Sequence, residues 1–206
     1  MILNNSRYHI IRRSLFIFFG FLCLNLGFNP ALVDSVIGAE KRKIGRVQAV
    51  YLTHLIDFTN WEVRDLPDSG KPAKVLFLGR DQNGVADAFD FLVSEGLVSI
   101  GGRKVEVIHR KDASESVIKN ELTRTHQVVF FLEKVNLSKE QIQKLKSKSL
   151  IIGLDRESVV KGMADVAFIV SKNRIRLVVS KKAFLRKSPG LSSRISTLRN
   201  VVEIIP

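Results

Sequence analysis

The sequence predicts an α/β fold: a three-layer sandwich with a mixed, mainly parallel sheet and a C-terminal antiparallel hairpin. Three observations carry this. Between Lys74 and Leu154 short apolar runs (KVLFLG, QVVFFL, LIIGL) alternate with stretches of helical period, the order in which parallel crossover units are built. After Gly162, two strand-like segments, Val166 to Val170 and Arg174 to Val179, are separated only by Ser171-Lys172-Asn173, too short for a crossover, so they pair as a hairpin. Ahead of the first strand, Arg46 to Trp61 carries Val47, Tyr51, Leu55, Phe58 and Trp61 at three- and four-residue steps, one apolar side of a helix that needs a sheet to cover.

Taken in order, that helix ends near Trp61, where EVRDLPDSGKPA, with its prolines, glycine and acids, marks an exposed loop. Lys74 to Gly79 is a buried strand, its apolar run too short for a typical helix. Val85, Ala88, Phe89 and Leu92 give a helix over about Val85 to Glu95. Past the Gly101-Gly102 turn, Lys104 to His109 is a strand with Val105 and Val107 inward. Asp112 or Ser114 caps a helix over Glu115 to Thr125, with Val117, Ile118 and Leu122 on its covering face. Gln127 to Leu132 is the most apolar short run after residue 39 and reads as a central strand. Ser138, with Gln141 three positions on, opens a helix through a capping box, and Ile142 and Leu145 supply its buried side. Leu150 to Leu154 is a further buried strand, followed by Asp155 and a short helix to Lys161. In the hairpin turn, Asn173 suits a positive φ. Lys181 to Arg186 is a helical turn broken by Pro189-Gly190, and Ile195, Leu198, Val202 and Ile205 place a last helix over Ser192 to Ile204.

The first 39 residues stand apart from this domain. Arg7, Arg12 and Arg13 precede the apolar stretch Leu15 to Phe28, and Gly38 and Ala39 follow, which is the order of a secretory signal. The apolar stretch is shorter than the roughly 20 residues a membrane-spanning helix needs. The reading is a signal peptide over 1–39, cut near Ala39, and a single α/β domain over 40–206. An uncleaved N-terminal anchor is the alternative, because Asn25 and Pro30 interrupt the segment and no strict A-x-A site is present. Cys23, the one cysteine, lies inside the signal after Leu22, where a lipoprotein signal places a small residue. With the signal removed no thiol remains, which excludes disulfides, cysteine-ligated metals and thiol nucleophiles.

The formal net charge is +13, and residues 1–39 hold only three bases and one acid, so about +11 belongs to the domain. Nine bases and no acid lie between Lys172 and Arg199. In an intracellular protein this balance points to nucleic acid. Behind an export signal the partners become an anionic membrane surface, an acidic protein face or an anionic small molecule, with a solvated basic surface as the alternative.

No catalytic or metal constellation is legible. Gly79 and Gly84 have the spacing of a phosphate-binding loop, but Val85 stands where the lysine belongs, and there is no G-x-G-x-x-G. His54, His109 and His126 lack metal-helix spacing, and no cofactor is implied. Ser192 and Ser193 have no acid or histidine nearby, and Ser192 reads as the cap of the last helix. Asp81, after the first strand, sits where α/β folds place functional groups, although capping or turn formation is the ordinary job there.

These segments resemble the YfiR-like family. VQAVYLTHLIDFTNW is similar to its opening helix; KVLFLGRD, IGGRKVEVIHR and QVVFFLE follow in the order of its first three strands; GMADVAFIVSKNRIRLVVS is similar to its hairpin and LSSRISTLRNVV to its terminal helix. The resemblance implies a dimerising periplasmic protein that represses a membrane-bound diguanylate cyclase by binding the cyclase's periplasmic region. Cyclic-di-GMP and biofilm formation would fall in consequence. It implies neither catalysis nor nucleic-acid binding, and membrane association only through the partner. Two departures stand out: Ser180 replaces the asparagine common after the hairpin, and the cysteine pairs of some members are missing, which removes redox control. Arg174 and Arg176 of the basic tract, with Tyr51 and Trp61 of the first helix, are the expected partner-contact residues. A second reading is a periplasmic small-ligand receptor using Gly79, Asp81 and Asp155 at the carboxyl ends of the strands. An exported hydrolase would need a water-activating constellation that is not visible.

Overall fold

The computed structural model describes residues 30–171, 174–197 and 200–206. The signal expected over Arg7 to Phe28, with Cys23, lies outside the described residues, as do Asn173 and Leu198. The sheet and the helical segments that cover it belong to one compact unit, Lys41–Pro206.

The elements are α1 (Pro30–Asp57), β1 (Thr59–Asn60), β2 (Ala73–Leu78), α2 (Val85–Ser94), β3 (Val105–Arg110), α3 (Glu115–Leu122), β4 (Val128–Phe131), α4 (Lys139–Lys146), β5 (Leu150–Gly153), α5 (Arg156–Val160), β6 (Val166–Ser171), β7 (Arg174–Ser180), α6 (Lys181–Leu185), β8 (Gly190–Leu191) and β9 (Val202–Ile205). Short 3-10 turns occupy Val63–Asp65 and Ser193–Thr197.

Seven of the described strands form one sheet in the order β3-β2-β4-β5-β6-β7-β9. Pairing is parallel from β3 through β6, antiparallel in the β6–β7 hairpin and parallel again at β7–β9. All four residues of β4 and of β5 are buried, because helices cover both sheet faces. That is why these strands read as unbroken apolar runs rather than alternating ones.

The core is accordingly double. On one face Leu52, Leu55 and Ile56 of α1 and Val85 and Phe89 of α2 meet the alternate strand residues Val75, Phe77, Val128, Phe130, Ile152 and Phe168. Phe77, Phe130 and Phe168 form a row across the sheet, with successive ring centroids 5.6 and 5.5 Å apart, tilted as aromatic quadrupoles favour. On the other face Ile118 of α3, Leu145 of α4 and Val159 of α5 cover Leu76, Leu78, Val129, Phe131 and Ile151. Helices, sheet and helices are the three layers expected. At Gly45 α1 comes so close to the loop after β2 that an added Cβ would lie 2.0 Å from the Asn83 carbonyl oxygen, a backbone atom that cannot step aside.

Val47, expected on the covering side of the first helix, is 38 % exposed, and α1 buries Ala49, Leu52, Leu55 and Ile56 instead; two expectations about element ends also fail. The first helix ends at Asp57 rather than near Trp61: Thr59 and Asn60 leave it to pair with Leu191 and Gly190. Ser192 donates its amide to the Phe58 carbonyl at 2.7 Å, and Arg194 stacks 5.3 Å from the Phe58 ring centre. Trp61 is therefore not a helix residue; its indole N–H reaches back to the Ile56 carbonyl at 3.3 Å. The second failure is the terminal helix. Only a 3-10 turn forms at Ser193–Thr197, and Val202–Ile205 adds to β7 as a strand. The 3-4-3 spacing of its apolar residues imitates a helix, but Val201, Val202, Ile204 and Ile205 are β-branched and stiff at χ1, which suits a pleated edge.

Candidate functional site

Parallel strands aim their carboxyl ends at one edge of a sheet, and a doubly wound sheet opens a crevice there, where successive connections leave in opposite directions. Counted from β2, the parallel strands run 2-1-3-4-5, the flavodoxin-like winding, so the crevice falls between β2 and β4. Of two adjoining cavities of about 350 Å³ each, one opens at this crevice and the other lies beside it, over the ends of β4 and β5. One is polar, lined by Gln48 of α1, Arg80, Asp81 and Asn83 after β2, and Glu133 and Lys134 after β4. The other is largely apolar, with Phe131, Val135, Leu154 and Met163 on its walls and Asp155 and Lys161 at its margin. Glu133, Lys134, Gly153 and Leu154 line both.

The local sequence explains this geometry. Gly79 ends β2 at φ 109°, and a Cβ there would lie 2.5 Å from the Glu133 Cγ and 3.0 Å from its amide nitrogen. The Gly79 carbonyl meets His109 Nε2 at 2.9 Å. Asp81 accepts from the amides of Val85 at 3.0 Å and Ala86 at 2.7 Å, so both of its oxygens serve the first turn of α2. Asp155 caps α5 with one oxygen, accepting from the Ser158 amide at 2.8 Å. Arg80 faces Glu133 at 3.5 Å across the cavity mouth.

Asp81 thus lines the polar cavity and Asp155 the apolar one, whereas Gly79 lines neither and only packs against Glu133, which lines both. The other four predicted residues line neither cavity. Arg174 and Arg176 are exposed on β7, in a two-stranded arm: β6 pairs with β5 only through Val166 and Ala167, and β7 with β9 only from Leu177 onward. Tyr51 and Trp61 are half-buried and pack against the core on the α1 face.

Sequence reading missed two buried ionic clusters. Asp165, just before β6 and 3 % exposed, faces Arg186 at 2.8 Å and Lys146 at 3.3 Å and also accepts from the Ile151 amide at 3.0 Å. Arg186 adds a bond to the Lys146 carbonyl, so one carboxylate ties β6, α4 and the segment after α6 together. Burial lowers the Lys146 pKa, with Arg186 and Lys182 adding to that, against the opposing pull of Asp165. In the second cluster, Glu121 of α3 meets Arg110 at 2.9 Å and His126 at 3.2 Å, and both Glu121 and His126 are almost wholly buried. Burial raises the Glu121 pKa, but the bond and charge of Arg110, with His126 and Arg124, outweigh it and hold the carboxylate below its ordinary value. Burial depresses His126 despite the opposing effect of Glu121. The available signal was a charged or polar residue directly ahead of an apolar strand: Asp165 before VAFIV, and His126-Gln127 before VVFF. Among the described residues no group of three His, Cys, Asp or Glu side chains is placed to hold a metal.

These observations define a doubly wound α/β domain with helices on both faces and a ligand-sized crevice at its switch point. A family model described as YfiR/HmsC-like (DUF4154) matches residues 45–198, and the chain belongs to that family of regulatory, non-catalytic domains. No curated protein matches the chain.

Proposed function

We propose that this protein is a periplasmic regulatory binding protein that represses a membrane-bound diguanylate cyclase by binding the cyclase's periplasmic region, lowering cyclic-di-GMP and biofilm formation. The family match over residues 45–198 carries this reading. The order of bases, apolar stretch and small residues in the first 39 positions supports export. Among the described residues no helix is long and apolar enough to cross a membrane. The protruding arm that carries Arg174 and Arg176 is the proposed contact with the cyclase, and a homodimer is the proposed assembly. The deciding measurement is cyclic-di-GMP in cells that express the cognate cyclase with and without this gene. Deletion raises the nucleotide level; an unchanged level sinks the repressor role.

A second reading, a small-ligand receptor, is favoured by the crevice around Asp81 at the switch point and the adjoining cavity that Asp155 lines. Thermal-shift screening against nucleotides and amino acids separates the two, since a ligand that binds only the folded state raises the melting temperature with concentration. A complete absence of stabilisation rejects the receptor.

A further inference from the structure

At the opposite, amino-terminal edge of the sheet, where α3 and α4 end and the chain turns into β4 and β5, lies a third cavity of about 240 Å³. Lys119 and Arg124 line it from the α3 side, Lys144 and Lys148 from the α4 side, and Leu122 and Leu145 supply its apolar wall. No acid lines it, and among the described residues none of the four bases forms an ion pair. Lys146, in the same helical turn, is drawn to Asp165, and Glu121 is taken up by Arg110.

Four like charges around one small cavity repel one another, and the fold offers little to offset them. The carboxyl-terminal ends of α3 and α4 each present about half a negative charge, so together they balance about one of the four. Glu121, which draws on Arg124 as well as on Arg110, offsets part of one more, and about two to three positive charges remain for something that is not part of the chain. Gln141 also lines the cavity; its side-chain oxygen already accepts the Ser138 amide at 2.8 Å, so its amide nitrogen is left as a donor. The volume equals that of about eight waters in the liquid, enough for a compact polyanion. We propose that this cavity binds a multiply charged phosphate group, with Arg124 giving forked donors and the three lysines point charges. The site lies away from the arm and the crevice and does not depend on the reading of the protein as a cyclase repressor.

Such a group is carried by soluble polyphosphates or by anionic lipid headgroups, and two arms of one experiment distinguish them. Titration of the purified protein with inorganic tripolyphosphate is expected to give saturable binding that weakens as salt rises. The double variant Lys144→Gln/Lys148→Gln should bind about tenfold more weakly, whereas Lys181→Gln/Lys182→Gln, which removes the same charge from α6, should change affinity less than twofold. In the second arm, phosphatidylcholine vesicles are compared with vesicles that also contain phosphatidylglycerol. Co-sedimentation with the latter, abolished by K144Q/K148Q and competed by tripolyphosphate, assigns the site to lipid; tripolyphosphate binding alone assigns it to a soluble phosphate. Absence of saturable binding in both arms, or equal losses in both double variants, overturns the proposal. Circular dichroism of the variants checks that both remain folded.

Discussion

Asp165 shows how much of this fold rests on single polar side chains. Its carboxylate is almost wholly buried, and it answers two cations and a backbone amide at once. Removing it leaves Lys146 and Arg186 partly buried without their partner, so Asp165→Ala should lower unfolding free energy by about 3–5 kcal/mol, measurable by urea denaturation. The Glu121–His126 pair gives stability a pH dependence. Because His126 is held below its ordinary pKa of 6.5, the unfolded chain takes up its proton first, and stability is lost as the pH falls below that value. Glu121, held below its ordinary 4.5, acts in the same direction at lower pH. Unfolding free energy should therefore be flat near pH 7.5, fall towards pH 5.5 and fall again in the carboxylate range. His126→Asn should flatten the first fall and leave the second. A wild-type protein equally stable at pH 7.5 and 5.5 would contradict this assignment.

At the scale of elements, the capping box of α4 was legible because its chemistry is local. Ser138 Oγ accepts from the Gln141 amide at 3.2 Å while the Gln141 side chain accepts from the Ser138 amide at 2.8 Å. The central strands were legible for the same kind of reason, since burial on both faces admits only apolar residues. The last strand was not. Helical spacing and β-branched composition conflict after Ser192, and the vacant edge of β7, which only the folded sheet supplies, decides between them. Ile205 is 6 % exposed and packs on the α3–α5 side of the sheet, so Ile205→Ala should cost about 2–5 kcal/mol. A surface-like effect below 0.5 kcal/mol would show that β9 does not hold its place in solution.

Across the whole molecule, charge is arranged differently from the way it is written. Of the nine bases between Lys172 and Arg199, the seven described ones form no single face: β7 carries Arg174 and Lys181 to opposite ends of a strand about 20 Å long. Arg186 is committed to Asp165, and Arg194 stacks on Phe58. Arg174→Glu with Arg176→Glu should therefore leave the melting temperature almost unchanged while weakening cyclase binding in a salt-dependent way. Binding unaffected by the pair places the interface elsewhere. The sequence by itself determined the three layers, the mainly parallel sheet and the hairpin, because these follow from periodicity, run length and local turn chemistry, and the order and spacing of its segments carried the resemblance to the family. Only the tertiary structure decided that Trp61 leaves the first helix, that the tail becomes a strand, that two buried ionic clusters bind the elements together, and that Lys119, Arg124, Lys144 and Lys148 meet around one cavity. Each depends on residues distant in the chain becoming neighbours, and a local pattern, such as Asp165 ahead of an apolar strand, marks one partner without naming the other.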